Sequence, residues 1–358
     1  MSSIAVVILN YNGKAYLEKF LPGVIQYSPE ATIVVADNGS SDGSLSYLRE
    51  NFPGVTLIDN GKNLGFCGGY NAALKKVDAD YFVLLNNDVE VTPGWLAPMK
   101  DILDKHWGAA AIQPKILSYH DKTRFDYAGA GGGYIDILGY PFCRGRVFDT
   151  IEQDKGQYND DIPVFWASGA CMMIRSYLFK EHGGFDEDLF AHMEEIDLCW
   201  RLKRDGNYIY YCGGSTVYHV GGGTLAAANP RKTYYNFRNG LDIIIKHLPG
   251  PKLIWRLPLR ILLDWVAAFR FIFGSPSHAW AVVRAHWYVL MHLGRIISKR
   301  RKLATELKGF ETGNVFPGIA VWRFYIRGMH YYPLTGGVPP FRVQWPWEII
   351  VDRVTPHD

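Results

Sequence analysis

Glu194, Glu195 and Asp197 place three carboxylates within four residues, in the run Glu194-Glu195-Ile196-Asp197-Leu198-Cys199-Trp200-Arg201. A helix start attracts acids, each gaining roughly 0.3–1 kcal/mol from the helix dipole, and that alone would explain the cluster. Crowded carboxylates also raise one another's pKa and supply a general base. Another acid, Asp88, follows Asn86 and Asn87 at the end of an apolar run. Beside a diphosphate such a carboxylate suits Mg2+ or Mn2+, which prefer oxygen ligands and phosphate partners. His219 stands just before Gly221-Gly222-Gly223, either as a metal ligand or as an ordinary polar strand end.

Two further groups could meet a base or an anion. Asn10, Tyr11 and Asn12, and then Asp37 and Asn38, interrupt apolar runs with polar loops. Asp37 could accept from a nucleobase imide N–H, although Asn, Asp, Ser and Gly also simply favour turns. In Lys62-Asn63-Leu64-Gly65-Phe66-Cys67-Gly68-Gly69-Tyr70-Asn71, glycines would let backbone N–H groups and a helix N-terminus approach a phosphate. A close-packed helix start is the alternative. The G-x-G-x-x-G spacing is absent and the loop does not follow the first strand, which argues against a dinucleotide-dependent oxidoreductase.

These residues need elements to position them. Residues 4–9 form a continuous apolar run, the pattern of a strand buried on both faces. The spacing predicts a helix over 15–27, with Leu17, Phe20, Leu21, Val24 and Ile25 on one side. Strands are predicted at 32–36, 55–59 and 81–85, and helices at 44–51 and 68–77. Repeated βα units of this kind predict an α/β fold with a parallel, doubly wound sheet. Ligands bind such sheets at the carboxyl ends of the strands, where Asn10, Asp37 and Asp88 all fall. Between 109 and 221 short strands alternate with Gly-rich loops, and a helix is predicted at 194–205.

Composition changes after residue 246. Residues 246–302 hold eleven Lys or Arg and one acid, Asp264. Lys252, Arg256 and Arg260 fall at i, i+4 and i+8, with Pro258 as a candidate kink. Arg284, His292, Arg295 and Lys299 form a second stripe, ending in Lys299-Arg300-Arg301-Lys302. Cations interleaved with Trp, Phe and Leu suit a helix lying on an anionic membrane surface. A hairpin packed on the catalytic domain or a partner is the alternative. Bulky aliphatics between the charges, and a net charge of only +3, argue against nucleic acid.

Five widely spaced cysteines without C-x-x-C fit a reducing compartment better than a disulfide framework. The N-terminus lacks a basic n-region, and no uncharged apolar run reaches about 18 residues. The expectation is a cytoplasmic protein, peripheral on the inner face of the membrane.

Taken in order, Val6-Val7-Ile8-Leu9-Asn10-Tyr11-Asn12, Ala36-Asp37-Asn38-Gly39-Ser40-Ser41-Asp42-Gly43, Asn63-x-Gly65-Phe66 and Leu84-Leu85-Asn86-Asn87-Asp88 resemble family 2 glycosyltransferases. Ser168-Gly169-Ala170, Gly184-Phe185-Asp186-Glu187, the Glu194 run and Val217-Tyr218-His219 continue the resemblance, which covers about residues 4 to 240. The branch looks most like bacterial rhamnosyltransferase-like enzymes of cell-surface polysaccharide synthesis.

The resemblance implies the GT-A fold, with a Rossmann-like, mostly parallel sheet and here a helical, membrane-associated C-terminal extension. It implies a catalytic domain at 1–240 (nucleotide-binding half 1–105, acceptor half 106–240), a basic helical region at 241–310 and an aromatic-rich tail at 311–358. Asp37 would bind the base, with Asn10, Asn12 and Asp42 lining the nucleotide pocket. Asp88 matches the last acid of the family's D-x-D metal motif, but Asn86 replaces the first. His219 matches a position that completes the metal shell. Glu195 matches the base, with Glu194 as neighbour and Asp197 as a further candidate.

The implied activity is inverting transfer of a hexose or deoxyhexose, rhamnose included, from a nucleotide-diphosphate sugar. The acceptor would be a saccharide or a lipid-linked saccharide, and the metal Mg2+ or Mn2+. Donor binding is expected to order residues 221–232, bringing Arg231 and Lys232 to the diphosphate. A catalytically degenerate binding scaffold is the rival from another class, and the acids at 88, 195 and 197 argue against it. A homo-oligomer stays open.

Overall fold

A computed structural model describes residues 2–221, 229–310 and 312–332. The first βα units are β1 (Ile4–Asn10), α1 (Lys14–Gln26), β2 (Ala31–Asp37), α2 (Ser44–Asn51), β3 (Thr56–Asp59), α3 (Gly65–Leu74) and β4 (Tyr81–Asn86). β1 lies parallel between β2 and β4, and its register sets Asn10 opposite Asp37 and Leu9 opposite Asn86. The polar strand ends therefore share one sheet edge. Leu17, Phe20, Leu21 and Val24 of α1 are buried as the periodicity predicts, while Ile25 is partly exposed. α3 begins three residues earlier than predicted, at Gly65.

The next elements are β5 (Val89–Val91), α4 (Leu96–Lys105), β6 (Ala109–Ser118), β7 (Gly133–Asp136), β8 (Pro141–Cys143), β9 (Arg146–Val147), β10 (Thr150–Ile151), β11 (Asp161–Val164), β12 (Cys171–Arg175), α5 (Ser176–Glu181), α6 (Glu194–Arg204) and β13 (Tyr208–His219). Among the described residues the central sheet runs β11-β13-β6-β12-β4-β1-β2-β3, with β5 on β13. β12 inserts antiparallel between β4 and β6, and β13 runs parallel to β6. The end of β13 pairs His219 with Val89 of β5, which delivers the imidazole beside Asp88.

Four helices follow: α7 (Pro230–His247), α8 (Gly250–Ile272), α9 (Pro276–Met291) and α10 (Leu293–Glu306). α7 runs across the boundary expected at 240. Asn229 caps it by accepting from the Arg231 N–H, and Pro230 opens its first turn. Next, β14 (Val315–Phe316) joins a second sheet of order β10-β9-β8-β7-β14. The short helix α11 (Ala320–Tyr325) sets Phe324 edge-on to Phe148 at 5.1 Å. This part of the tail, which composition left without a role, completes that sheet. Trp345 and Trp347 lie outside the described residues.

The basic stripes face outward only in part: Lys252, Arg284 and Arg295 are exposed, whereas others turn inward. Arg260 is buried, with Nε 2.8 Å from Asp264 Oδ1, one Nη donating to the Leu138 carbonyl, and the guanidinium 3.8 Å from the Tyr140 ring centroid. Arg295 and Lys299 pair with Asp188, and Lys299 also with Asp186. Arg300 donates to the Ile245 and Leu248 carbonyls. Arg260 is satisfied by Asp264 of its own helix and by the Leu138 carbonyl, which offsets its burial, whereas Arg295 stays exposed while paired. The exposed face of α8 is apolar instead: Trp255, Leu262, Trp265, Val266, Phe269 and Phe273. Among the described residues no helix is long and apolar enough to cross a membrane.

Candidate active site

At the edge formed by β1, β2 and β4 the polar residues first bind one another. Asp37 Oδ1 accepts from the Gly39 and Ser40 N–H groups, and Oδ2 from Asn10 Nδ2 at 3.0 Å. Asn10 Oδ1 in turn accepts from Asn87 Nδ2 at 2.9 Å. Asp37 is fully enclosed and shapes the loop through these contacts. Asn38 is enclosed too, accepting from the Leu64 N–H and donating to the Gly65 carbonyl. Asp42 accepts from the backbone of Ser44 and Lys14, tying α2 to α1. Asn12, in the left-handed region at φ 50°, accepts from the Ser41 N–H. Tyr11, Asn12 and Asp42 form the exposed rim of this edge.

The start of the glycine segment is tied internally. The Gly65 N–H donates to Asn63 Oδ1, and those of Phe66 and Cys67 donate to the Phe190 carbonyl. The start of α3 thus anchors a loop, and these donors are not free for phosphate. Gly65 itself is required: its φ is 73°, and a Cβ would lie 2.6 Å from the Phe190 ring. Asn71 is also committed, donating to the Phe185 carbonyl and accepting from the Phe185 N–H. Lys62 is exposed.

Asp88, His219 and Asp126 form a buried row. Asp88 Oδ1 is 3.2 Å from His219 Nε2, and His219 Nδ1 is 2.7 Å from Asp126 Oδ1. Asn86 Nδ2 stands 3.4 Å from the same Nε2. Burial opposes a charged imidazole, but Asp126 and Asp88 hold its proton and push its pKa up to about 10. Asp88 and His219 are the side chains that would hold a divalent cation here, supplying positive charge beside a diphosphate. Asp126 fixes the ring from behind, as carboxylates commonly do for metal-binding histidines. The donor set fits Mn2+ or Mg2+ with diphosphate oxygens and water filling the other positions. Among the described residues no three His, Cys, Asp or Glu side chains converge as a complete cluster. Asp126 was absent from the sequence reading: it lies 93 residues from His219 and belongs to no motif.

Residues 168–170 connect this row to the acids of α6. The Asn86 N–H donates to the Ala170 carbonyl, and Ser168 Oγ donates to the Ala128 carbonyl. A Cβ on Gly169 would stand 3.8 Å from Glu194 Oε1. Glu194 and Glu195 each bury an Oε2 atom that has no hydrogen-bond partner. Such an atom carries a cost of about 1–3 kcal/mol, which a bound substrate group would relieve. Burial raises the Glu195 carboxyl to about 7, against backbone N–H groups at the helix start that lower it. Burial and the Glu195 charge raise Glu194 well above the carboxylate range.

Asp197 is fully engaged in ion pairs. Its carboxylate meets Arg201 Nε at 2.9 Å, His247 Nε2 at 2.9 Å and Lys246 Nζ at 2.8 Å. Burial opposes its charge, but Lys246 and Arg201 hold it well below the usual carboxylate range. It anchors α6 to α7.

The loop entering α6 is strained: Phe190, His192 and Met193 have φ of 62°, 67° and 71°, each costing of order 1–3 kcal/mol. α7 holds it in place. Asn239 Nδ2 reaches the carbonyls of Leu189, Ala191 and His192, and Arg238 those of Asp188 and Leu189. The Phe190 ring stacks on Tyr235 at 5.7 Å. Neither Arg238 nor Asn239 belongs to a motif singled out in the sequence. Arg231 is exposed and Lys232 lies over the Tyr127 ring; residues 222–228 of the expected closing loop lie outside the described residues.

A family model described as "Glycosyl transferase family 2" matches residues 5–183. A relative from Mycobacterium tuberculosis, "N-acetylglucosaminyl-diphospho-decaprenol L-rhamnosyltransferase", is 29% identical over 323 residues, covering 84% of this chain and 96% of its own. "Rhamnosyltransferase WbbL" of Escherichia coli K12 is 25% identical, covering 58% of this chain and 80% of its own. Among solved structures, "GalNAc-T7 with UDP, GalNAc and Mn2+" superposes with a TM-score of 0.54 at 15% identity, over 83% of this chain and 58% of that one. The strand order, the ordered motifs and the family match agree: the chain is a glycosyltransferase of family 2 with the GT-A fold.

Proposed function

We propose that this enzyme transfers a deoxyhexose such as rhamnose, or a hexose, from a nucleotide-diphosphate sugar to a hydroxyl of a lipid-linked saccharide, with inversion. The product would be an intermediate of cell-surface polysaccharide. The observation that carries the mechanism is Glu195 at the start of α6, whose Oε2 is buried without a hydrogen-bond partner and whose pKa is raised to about 7. A base needs a pKa close to working pH. In the ionised form Glu195 takes the acceptor's hydroxyl proton as that oxygen bonds to the anomeric carbon. The anomeric bond to the diphosphate breaks on the opposite face, and the nucleoside diphosphate leaves with the electron pair. Glu194, protonated, adds no second charge beside the base and can donate a hydrogen bond to the acceptor.

Asp88 and His219 would hold a divalent cation, which when bound offsets the charge growing on the departing diphosphate. The relative named for a decaprenol-linked acceptor supports a lipid-linked substrate here. The exposed apolar face of α8 supports work at a membrane surface. On this reading the enzyme sits on the inner face of the cytoplasmic membrane.

Calorimetric titration with UDP, dTDP and GDP, with and without Mn2+, tests the donor site. One nucleotide should bind in a metal-dependent way, and Asp88→Ala should weaken it at least tenfold. Glu195→Gln should keep that binding and lose transfer. If none of the three binds the folded protein, the reading fails.

A further inference from the structure

α9 carries Trp280, Arg284, Trp287 and Met291 at i, i+4, i+7 and i+11, so they form one stripe along the helix. Trp280, Trp287 and Met291 are each more than 60% exposed. With Tyr234 of α7 and Tyr288 they line a groove of about 560 Å³. Large aromatics left open to solvent in a groove mark a binding surface more often than a lone exposed apolar residue does.

The cation in the groove is also unusual. Arg284 is exposed, stacks its guanidinium over the Tyr234 ring at 5.1 Å, and forms no ion pair among the described residues. Its neighbours differ: Arg295 and Lys299 are paired with Asp188. An apolar trough with one uncommitted guanidinium matches an amphiphile whose head is anionic.

The groove leads to the catalytic loop. Arg238 lies over the rings of Tyr234, Tyr235 and Tyr288 at 4.9–5.4 Å. Tyr235 stacks on Phe190, and Arg238 donates to the Leu189 carbonyl. Four residues beyond Phe190 is Glu194. On its other side α9 packs against α8, with the Trp265 ring 5.4 Å from that of His286.

We propose that the α7–α9 groove seats the phosphorylated head of an isoprenoid lipid, its first prenyl units on Trp280 and Trp287 and its phosphate on Arg284. This rests on the lipid-linked acceptor proposed above and names where its lipid end is held. The saccharide would then extend past Tyr235 towards Glu195, while the rest of the lipid stays beside α8.

Farnesyl diphosphate, a short soluble analogue, tests the site on the full chain by calorimetry and tryptophan quenching. Saturable binding is expected, at least fivefold weaker in Arg284→Ala and in Trp287→Ala. Farnesol and inorganic diphosphate should each bind at least tenfold more weakly than farnesyl diphosphate. Both side chains are exposed, so the variants should fold, and thermal melting checks that they do. Unchanged binding in both variants overturns the proposal. So does farnesol matching farnesyl diphosphate, which indicates a non-specific apolar surface, or inorganic diphosphate matching it, which indicates a bare anion site. Absence of saturable binding also overturns it. Nucleotide binding at Asp88 is read separately, so failure here leaves the donor reading standing.

Discussion

Glu195, the proposed base, sits at a helix start and is pulled in two directions; desolvation wins over the backbone N–H groups, lifting it to about 7. The active form is deprotonated, so kcat/KM should rise about tenfold per unit as pH increases towards 7 and level off above it. Glu195→Gln should cost about 10²–10⁴ in kcat and remove that limb. A pH profile that stays flat from 5.5 to 8 would assign the proton to another group. Stability carries the opposite sign: the folded carboxyl binds its proton more tightly than the ordinary value of 4.5 allows. Its stabilising contribution is therefore fully present below about pH 4.5 and lost as pH rises through about 7. A second residue-scale expectation concerns Asp126, which holds His219 Nδ1 at 2.7 Å. Asp126→Asn should weaken Mn2+ binding in the presence of nucleotide by about 10–100-fold, read by titration of the metal's paramagnetic signal. Metal affinity equal to that of the wild type would reduce Asp126 to a packing residue. Sequence reading singled out Glu194, Glu195, Asp88 and His219 because each sits in a motif. It could not find Asp126, whose meaning comes only from β13 crossing the sheet to bring His219 beside it. Asp37, Asn71 and the start of α3, which it offered to a donor or to turn and helix-start packing, make internal hydrogen bonds. Loop chemistry of this kind looks the same in sequence whether it binds a ligand or itself.

Elements carry the site through a few internal ties, and the tie between α6 and α7 is electrostatic. Lys246 of α7 lies 2.8 Å from each of Asp186, Asp197 and Asp242 while almost fully buried. Burial opposes its charge, but the three carboxylates hold its proton and raise its pKa. Removing one partner of a buried ionic group leaves the others uncompensated, at a cost of about 3–5 kcal/mol. Lys246→Met should lower stability by about that amount in urea unfolding and loosen α6 against α7. A change within about 0.5 kcal/mol would mean that water already reaches these carboxylates. The first seven elements were legible, because buried parallel strands and amphipathic helices leave strong periodicities. α8 was legible as a helix but not in its orientation. Its i, i+4, i+8 cations suggested a wet face, yet Asp264 and Tyr140 receive Arg260 inside. Periodicity identifies two faces of a helix; only the neighbours decide which one is buried.

For the whole molecule that inversion predicts how it would meet a membrane. A surface held by basic stripes would bind anionic vesicles through charge and release them at high salt, since exposed charges are screened beyond about 8–10 Å. The exposed face of α8 instead offers Trp255, Leu262, Trp265, Val266, Phe269 and Phe273. Arg260 is buried, and Arg295 and Lys299 are paired to acids of the catalytic body. Attachment should then depend mainly on apolar area entering the lipid, at about 25 cal/mol per Å² buried, with exposed Lys252, Arg270, Arg284, Arg301 and Lys302 adding a weaker charged contribution. Two consequences separate the mechanisms in a sedimentation assay with phosphatidylglycerol vesicles. Raising salt from 0.1 to 0.5 M should release only a minor share of the bound protein. The double variant Val266→Glu, Phe269→Glu should release most of it while leaving nucleotide binding intact, because both residues lie on the outer face of α8, away from the Asp88 edge. If the variant still sediments with vesicles and salt strips the wild type, charge dominates and the apolar face of α8 meets something other than lipid.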